Sequence, residues 1–161
     1  MNKEEFLKRL ETEIKIAKLS KYTLRNYLDL NKKFLEHIKK DPELIDGQDI
    51  KLFLADKLSE QSASTSILFL SAIRFAYTNL LSKDPTLGIK RPKNEKKIPA
   101  VLSKAEIIKL IEASSTKKSR LILQLLYSSG LRVSELVNLK PRDLNLEDNT
   151  GWVRAGKGKK D

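Results

Sequence analysis

The chain has 161 residues, 40% of them hydrophobic, and it contains no cysteine and a single histidine, His37. This length suits one domain or two small ones, and the apolar content is too high for a disordered chain. The missing cysteines exclude a disulfide framework and a thiolate metal site, and one histidine leaves little scope for a zinc centre or a Ser-His-Asp triad. No apolar run approaches the ~20 residues that cross a bilayer, so we expect a cytoplasmic protein with no membrane partner.

The charge of the chain is more informative than its length. Thirty-two Lys and Arg residues against 21 Asp and Glu residues give a net charge of +11. Such an excess attracts polyanions, so nucleic acid is the first candidate partner. Two other interpretations stay open: a lysine-rich surface of the kind found in thermophiles, and a basic helical protein–protein module.

The first 82 residues predict four amphipathic helices with apolar residues at helical spacing. Ser20 is positioned to cap the second helix, and Asp46 with Asp49 forms a capping box that opens the third. The fourth helix starts near Ser62 or Ser64. This pattern predicts a small helical domain over residues 1–82.

Residues 83–97 differ in composition from the helices before them. The segment has six basic and two acidic residues, with two prolines and one glycine. It predicts an extended basic linker, which either lies along a nucleic acid backbone or is simply solvated.

A second unit is predicted over residues 98–161. Ser103 and Glu106 form a capping box, Gly130 ends a second apolar helix, and a short helix follows. A hairpin is predicted with its turn at 147–151 and its second strand at 152–154. A lone hairpin and about 60 residues are little for an independent core, so we expect this unit to be part of a larger domain.

Arg132 stands in the turn after the helix-ending Gly130. An arginine fixed there presents a planar fork suited to bidentate contact with a phosphate, and Glu135 is placed to hold it. Taken on spacing alone, an ordinary Arg132–Glu135 pair on the helix surface is the simpler interpretation.

The segment 126–140, Leu-Tyr-Ser-Ser-Gly-Leu-Arg-Val-Ser-Glu-Leu-Val-Asn-Leu-Lys, resembles the first catalytic box of tyrosine recombinases, especially their Xer and integrase branch. Gly156-Lys157-Gly158 resembles the family's next element, a β-hairpin with a Gly-Lys-Gly turn. The resemblance implies a mainly α fold: an N-terminal four-helix core-binding (SAM-like) domain, followed by a truncated α+β catalytic domain with a C-terminal β-hairpin.

The resemblance also implies residue roles. Arg132 matches the first arginine that grips the scissile phosphate, Lys157 matches the general acid that protonates the leaving 5′-hydroxyl, and Glu135 supports the arginine. The family's His-x-x-Arg pair, its later His or Trp and its tyrosine nucleophile have no match in this sequence. Tyr22, Tyr27, Tyr77 and Tyr127 occur in apolar helical patterns and are expected in the core, and His37 on a helix surface.

By the same resemblance, the partner is double-stranded DNA, bound by two to four protomers on paired sites without metal, nucleotide or other cofactor. The expected DNA-binding residues fall on two helices and in the linker: Lys21, Thr23, Arg25, Asn26, Ser64, Thr65, Arg74, Lys90, Arg91, Lys93, Lys96 and Lys97.

The sequence therefore favours a fragment of a site-specific recombinase that binds DNA and does not cleave it alone. The alternative is a non-catalytic DNA-binding protein that competes for recombination sites. A capping role for the serines and threonines remains open beside the DNA-binding role.

Overall fold

The computed structural model describes residues 1–59, 61–93 and 98–153. The chain divides into two compact units, Met1–Lys97 and Ile98–Asp161. Within the described ranges the helices are α1 (Lys3–Ile16), α2 (Lys21–Ile38), α3 (Gly47–Lys57), α4 (Ala63–Leu81), α5 (Lys104–Glu112), α6 (Lys117–Ser129) and α7 (Val133–Asn138). Short 3₁₀ turns occupy Pro42–Leu44 and Pro141–Asp143, and the two strands are β1 (Leu144–Asn145) and β2 (Thr150–Gly151). The predicted fold class, a four-helix unit followed by a helical unit with a small hairpin, is confirmed.

Side-chain caps start the helices where the sequence predicts them. Ser20 accepts from the backbone N–H of Thr23, and Ser62 does the same for Thr65, at 3.1 and 3.3 Å. The predicted capping boxes of α3 and α5 are both formed. These bonds satisfy backbone donors that the first helical turn leaves unpaired.

The first unit has a hydrophobic core centred on three aromatic rings. Phe34 of α2 meets Phe53 of α3 and Phe69 of α4 edge-on, with ring centroids 5.3 and 5.5 Å apart. Phe6 packs against Tyr77 at 5.2 Å, which joins α1 to the same core. All of these rings except Phe53, at 4%, are fully buried.

The helices α2 and α4 run antiparallel to each other. Tyr27 contacts Phe75 with ring centroids 5.7 Å apart, and Phe34 contacts Phe69. Between these pairs, the side-chain Nδ2 of the buried Asn31 donates to the carbonyl of Ala72 at 3.3 Å. From Tyr27 to Phe34 the residue number rises along α2, while the residue number of the contacted partner on α4 falls from 75 to 69. Only an antiparallel pair of helices gives this order.

The second unit is organised differently. No hydrophobic side chain is buried among its described residues, 98–153. α6 carries exposed apolar residues such as Leu121, and α7 carries Val137, which is 69% exposed. Caps and tight turns, rather than a buried core, fix the local geometry of this unit.

The hairpin closes earlier than the sequence predicts. Thr150 and Gly151, assigned to the turn, form β2 and pair with Asn145 and Leu144. Asn149 takes a left-handed conformation with φ of 53°, and the Asn145 side chain accepts from the N–H groups of residues 147 and 148. These two features complete the turn at 146–149, so the predicted turn at 147–151 and the predicted strand start at 152 are wrong.

Two further observations concern the part of the chain that the structure describes. None of its helices combines the length and apolar character needed to cross a membrane. No cluster of three or more His, Cys, Asp or Glu side chains is arranged there to hold a metal ion.

Because only the first unit has a buried core among the described residues, replacing an apolar side chain by alanine should destabilise the two units unequally. Phe34→Ala should lower the free energy of unfolding by about 3–5 kcal/mol, because it removes a fully buried ring. Leu121→Ala should lower it by less than about 1 kcal/mol, because that side chain already meets solvent. Urea denaturation followed by far-ultraviolet circular dichroism measures both, and equal losses would contradict the description of the second unit.

Candidate functional site

A tight turn between α6 and α7 positions Arg132. Gly130 ends α6 in a left-handed conformation, with φ of 65°, and its N–H donates to the carbonyl of Leu126 at 3.1 Å. Added side-chain bulk at Gly130 would meet no atom within 4 Å, so backbone conformation is what favours glycine there. Arg132 follows as the N-cap residue of α7.

Glu135 holds Arg132 at two points. One carboxylate oxygen, Oε2, accepts from the backbone N–H of Arg132 at 2.8 Å, and Oε1 accepts from its Nη1 at 2.6 Å. The Glu135 side chain is 14% exposed, whereas that of Arg132 is 63% exposed. The carboxylate thus lies against the turn and the guanidinium faces solvent.

This arrangement leaves the guanidinium able to bind an anion. Arginine has five N–H donors, and within the described part of the chain only Nη1 of Arg132 is bonded. A planar fork fixed on one side and open on the other matches the geometry of a phosphate group. Both the surface-pair and the phosphate-binding interpretations of the sequence are therefore compatible with the bonds present.

The hydrogen bonds from Arg132 lower the pKa of Glu135. The backbone N–H of Arg132 is the largest cause and its side chain the next. A carboxylate stabilised in this way remains ionised well below neutral pH, which keeps the guanidinium in place under ordinary conditions.

In the first unit, the predicted DNA-binding residues of the helices lie, apart from Arg74, at the two ends of the α2–α4 pair. Lys21, Thr23, Arg25 and Asn26 form the first turns of α2. We call the end of the pair at which these first turns lie the α2 end. Arg74 precedes Phe75, which contacts Tyr27, so it lies beside the middle of α2.

Ser64 and Thr65 lie at the opposite end, because α4 begins beside the second half of α2. The α2 helix has 18 residues, which corresponds to roughly 27 Å at about 1.5 Å per residue. The structure therefore does not bring the two groups of predicted residues together at one point. It separates them by nearly the length of the helix.

The residues of the α2 end are accessible, and Arg74 is also ion-paired. Lys21 and Arg25 are exposed, whereas Thr23 and Asn26 are half-buried. The Nε of Arg74 lies 3.0 Å from Oδ2 of Asp84, a carboxylate that is only 14% exposed. Asp84 also accepts from the backbone N–H of Thr86 at 2.9 Å, so Arg74 is tied to the segment that follows α4.

The start of the predicted linker is held against the first unit. Lys83 donates from Nζ to the carbonyl of Ile45 at 3.0 Å and to that of Glu43. Ile89 packs against the core. Lys90, Arg91 and Lys93 are exposed, whereas Lys96, Lys97 and the predicted general acid Lys157 lie outside the described residues.

The tyrosines correct one expectation. Tyr77 is fully buried, Tyr27 packs against the core, but Tyr22 and Tyr127 are 67% and 56% exposed. Core packing was therefore wrong for Tyr22 and Tyr127. The helical phase of Tyr22, two residues before the inward-facing Leu24, is the signal that was missed.

His37, expected on a helix surface, has a side chain that is 26% exposed. Its Nε2 lies 3.3 Å from Oδ2 of Asp56.

Comparison with known proteins finds a family match for each of the two units. Residues 100–161 match the profile described as "Phage integrase family". Residues 6–86, half of the chain, match "Phage integrase, N-terminal SAM-like domain".

Full-length relatives are similar across nearly all of the chain. The tyrosine recombinase XerD of Staphylococcus haemolyticus is 35% identical, over 98% of this chain and 57% of its own length. The tyrosine recombinase XerA of Pyrococcus horikoshii is 38% identical, over 98% of this chain and 53% of its own length. The chain thus spans about half the length of the curated relatives it matches.

A solved structure shares the fold. It is a lambda integrase dimer bound to a COC′ core site, with a TM-score of 0.79 and 24% identity. The match covers 99% of this chain and 60% of that one. At this identity the likeness concerns the fold.

The pKa of Glu135 gives a testable pH dependence. The folded-state pKa lies below the ordinary value of 4.5, so the stabilisation of the turn is fully present above that value and is lost as pH falls through the lowered folded-state pKa. An NMR titration of the Arg132 amide should therefore show a midpoint below 4.5 in the native chain. The Glu135→Gln variant should show no such step, and a native midpoint at or above 4.5 would contradict the bonding described.

Proposed function

The chain belongs to the phage integrase family of tyrosine recombinases, and we propose that it binds duplex DNA at sites where such an enzyme cuts and rejoins strands. The observation that carries this proposal is the turn at Arg132. An accessible guanidinium, anchored by a carboxylate, lies in the segment that resembles the family's first catalytic box. The net charge of +11 supports the same partner.

In this proposal the first unit contacts the backbone of the duplex. Its two groups of candidate residues are separated by nearly the length of α2, a distance comparable to the ~34 Å of one DNA turn. Hydroxyl groups and basic side chains at helix starts are suited to contact phosphates rather than bases. Binding at both ends of the α2–α4 pair would therefore fix the register of the unit on the duplex, and the basic residues 90–97 would follow the backbone.

In the complete reaction, Arg132 and Lys157 would act on the same phosphodiester. A tyrosine hydroxyl passes its proton to a general base and attacks phosphorus, a 3′-phosphotyrosyl bond forms, and the bond from phosphorus to the 5′-oxygen breaks. Arg132 stabilises the charge that builds on the nonbridging oxygens, and Lys157 gives its proton to the departing 5′-oxygen. Glu135 keeps the guanidinium oriented throughout. None of these steps requires a metal or nucleotide.

We do not expect these 161 residues to cleave DNA alone. None of their four tyrosines stands at the position that the family's nucleophile takes, and Tyr77 has a fully buried side chain. A chain that binds without cleaving would occupy recombination sites, so the competing DNA-binding protein remains the alternative function. The dimer in the lambda integrase structure supports assembly of two or more protomers on DNA.

The proposal predicts salt-dependent binding. In gel-shift assays on duplexes with recombination-type inverted repeats, the logarithm of the binding constant should fall with that of salt at a slope steeper than about −3, since each phosphate contact contributes roughly −0.9. Absent or salt-insensitive binding would contradict the proposed function and favour a protein–protein module.

Arg132 should contribute to binding more than a comparable arginine does. Arg132→Ala should weaken the affinity for duplex about tenfold or more, because hydrogen bonds to charged groups are the strong ones. The matched control is Arg142→Ala, which removes the same charge from an exposed position in the same unit. Equal losses from the two variants would show that only the net charge matters.

A further inference from the structure

Tyr22 is an exposed aromatic residue at the α2 end of the first unit. It lies between the N-cap Ser20 and Thr23, and its side chain is 67% exposed. The buried Asn31 is nine residues further along α2, about two and a half turns, so the two side chains lie on opposite sides of the helix. The core of the first unit therefore does not need this ring.

The ring has one charged partner within the described residues. The guanidinium carbon of Arg25 lies 5.7 Å from the centroid of the Tyr22 ring. That distance is within the range of a cation–π contact, which holds a long, mobile side chain in a defined place. Tyr22 and Arg25 thus form a stacked pair on the solvent side of α2.

The surroundings of the pair favour an anion. Lys21 is the neighbour of Tyr22, and the first turn of α2 contains no acidic residue. The positive end of the helix dipole is therefore not offset by a side chain there. Tyrosine and arginine side chains both donate hydrogen bonds to phosphate oxygens in protein–DNA interfaces.

We propose that Tyr22 contacts DNA in two ways. Its hydroxyl donates a hydrogen bond to a backbone phosphate, and its ring positions Arg25 to bind the neighbouring phosphate. This role rests on the proposed DNA-binding function and adds a residue to it. Because both contacts are to the backbone, Tyr22 contributes to affinity at every sequence and to the register of α2 on the duplex.

The test separates the hydroxyl from the ring. Fluorescence anisotropy with a labelled duplex, on the whole chain at fixed salt, compares Tyr22→Phe, Tyr22→Leu, Arg25→Ala and the double variant Tyr22→Leu/Arg25→Ala. Tyr22→Phe should weaken binding about two- to tenfold through the lost hydrogen bond. Tyr22→Leu should add a further factor of about two to five, because Arg25 loses its support.

The double variant tests the coupling between the two residues. If the ring acts through Arg25, the combined loss should be smaller than the product of the two single losses. Arg9→Ala on α1 controls for charge and Leu52→Ala on α3 for an exposed apolar side chain, and both should bind as the unaltered chain does. Thermal unfolding should be the same for all Tyr22 variants, since the ring is exposed.

Three results would overturn the inference. Unchanged affinity of both Tyr22 variants, with weaker binding by Arg25→Ala, would remove Tyr22 from the interface and leave the proposed function standing. A change in oligomeric state of the Tyr22→Leu variant, with unchanged DNA affinity, would make the residue a protein contact instead. Absence of salt-dependent binding by the unaltered chain would overturn both proposals together.

Discussion

The antiparallel packing of α2 on α4 is the constraint on which the first unit depends. Phe34 and Phe69 meet across the pair, and the Asn31 side chain donates to the Ala72 carbonyl. Because these contacts fix the register of the two helices, they also fix where each N-terminus lies. Apart from Arg74, the candidate DNA-binding residues of these two helices are at those N-termini, so a shift of one helical turn at the buried interface would move the two groups by about 5.4 Å relative to each other.

Asn31 illustrates how closely packing and position are linked. Its Nδ2 bonds to carbonyls on both helices, to Tyr27 in its own turn and to Ala72 across the interface. Its Oδ1, like the hydroxyl of Tyr77, is buried and has no hydrogen-bond partner among the residues that the structure describes. A buried amide that satisfies its donors in only one register favours that register over neighbouring ones.

Local features of the fold were predictable from sequence, and distant contacts were not. Ser20, Asp46, Ser103 and Gly130 act within a few residues of themselves, and each starts or ends a helix as predicted. The Arg74–Asp84 ion pair depends on how the chain turns after α4, which no local rule specifies. The hairpin turn was misplaced because its closure depends on the Asn145 side chain and on the conformation of Asn149.

The candidate site shows the same division between local and distant information. Arg132 and Glu135 are three residues apart, so their pairing follows from helix geometry and was foreseen. Sequence spacing alone could not show that the carboxylate lies against the turn while the guanidinium stays open. Tyr22 was assigned to the core because it lies on a helix with an apolar pattern, whereas the phase of α2 relative to α4 turns it toward solvent.

The central claim is that both ends of the α2–α4 pair and the Arg132 turn contact the same duplex. A ¹⁵N–¹H NMR titration of the chain with an inverted-repeat duplex at physiological salt tests it most directly. We expect the amide signals of residues 20–26, 62–65 and 130–135 to shift together with increasing DNA, whereas those in the middle of α1 should stay in place. Shifts confined to other surfaces, or an unchanged spectrum, would contradict it.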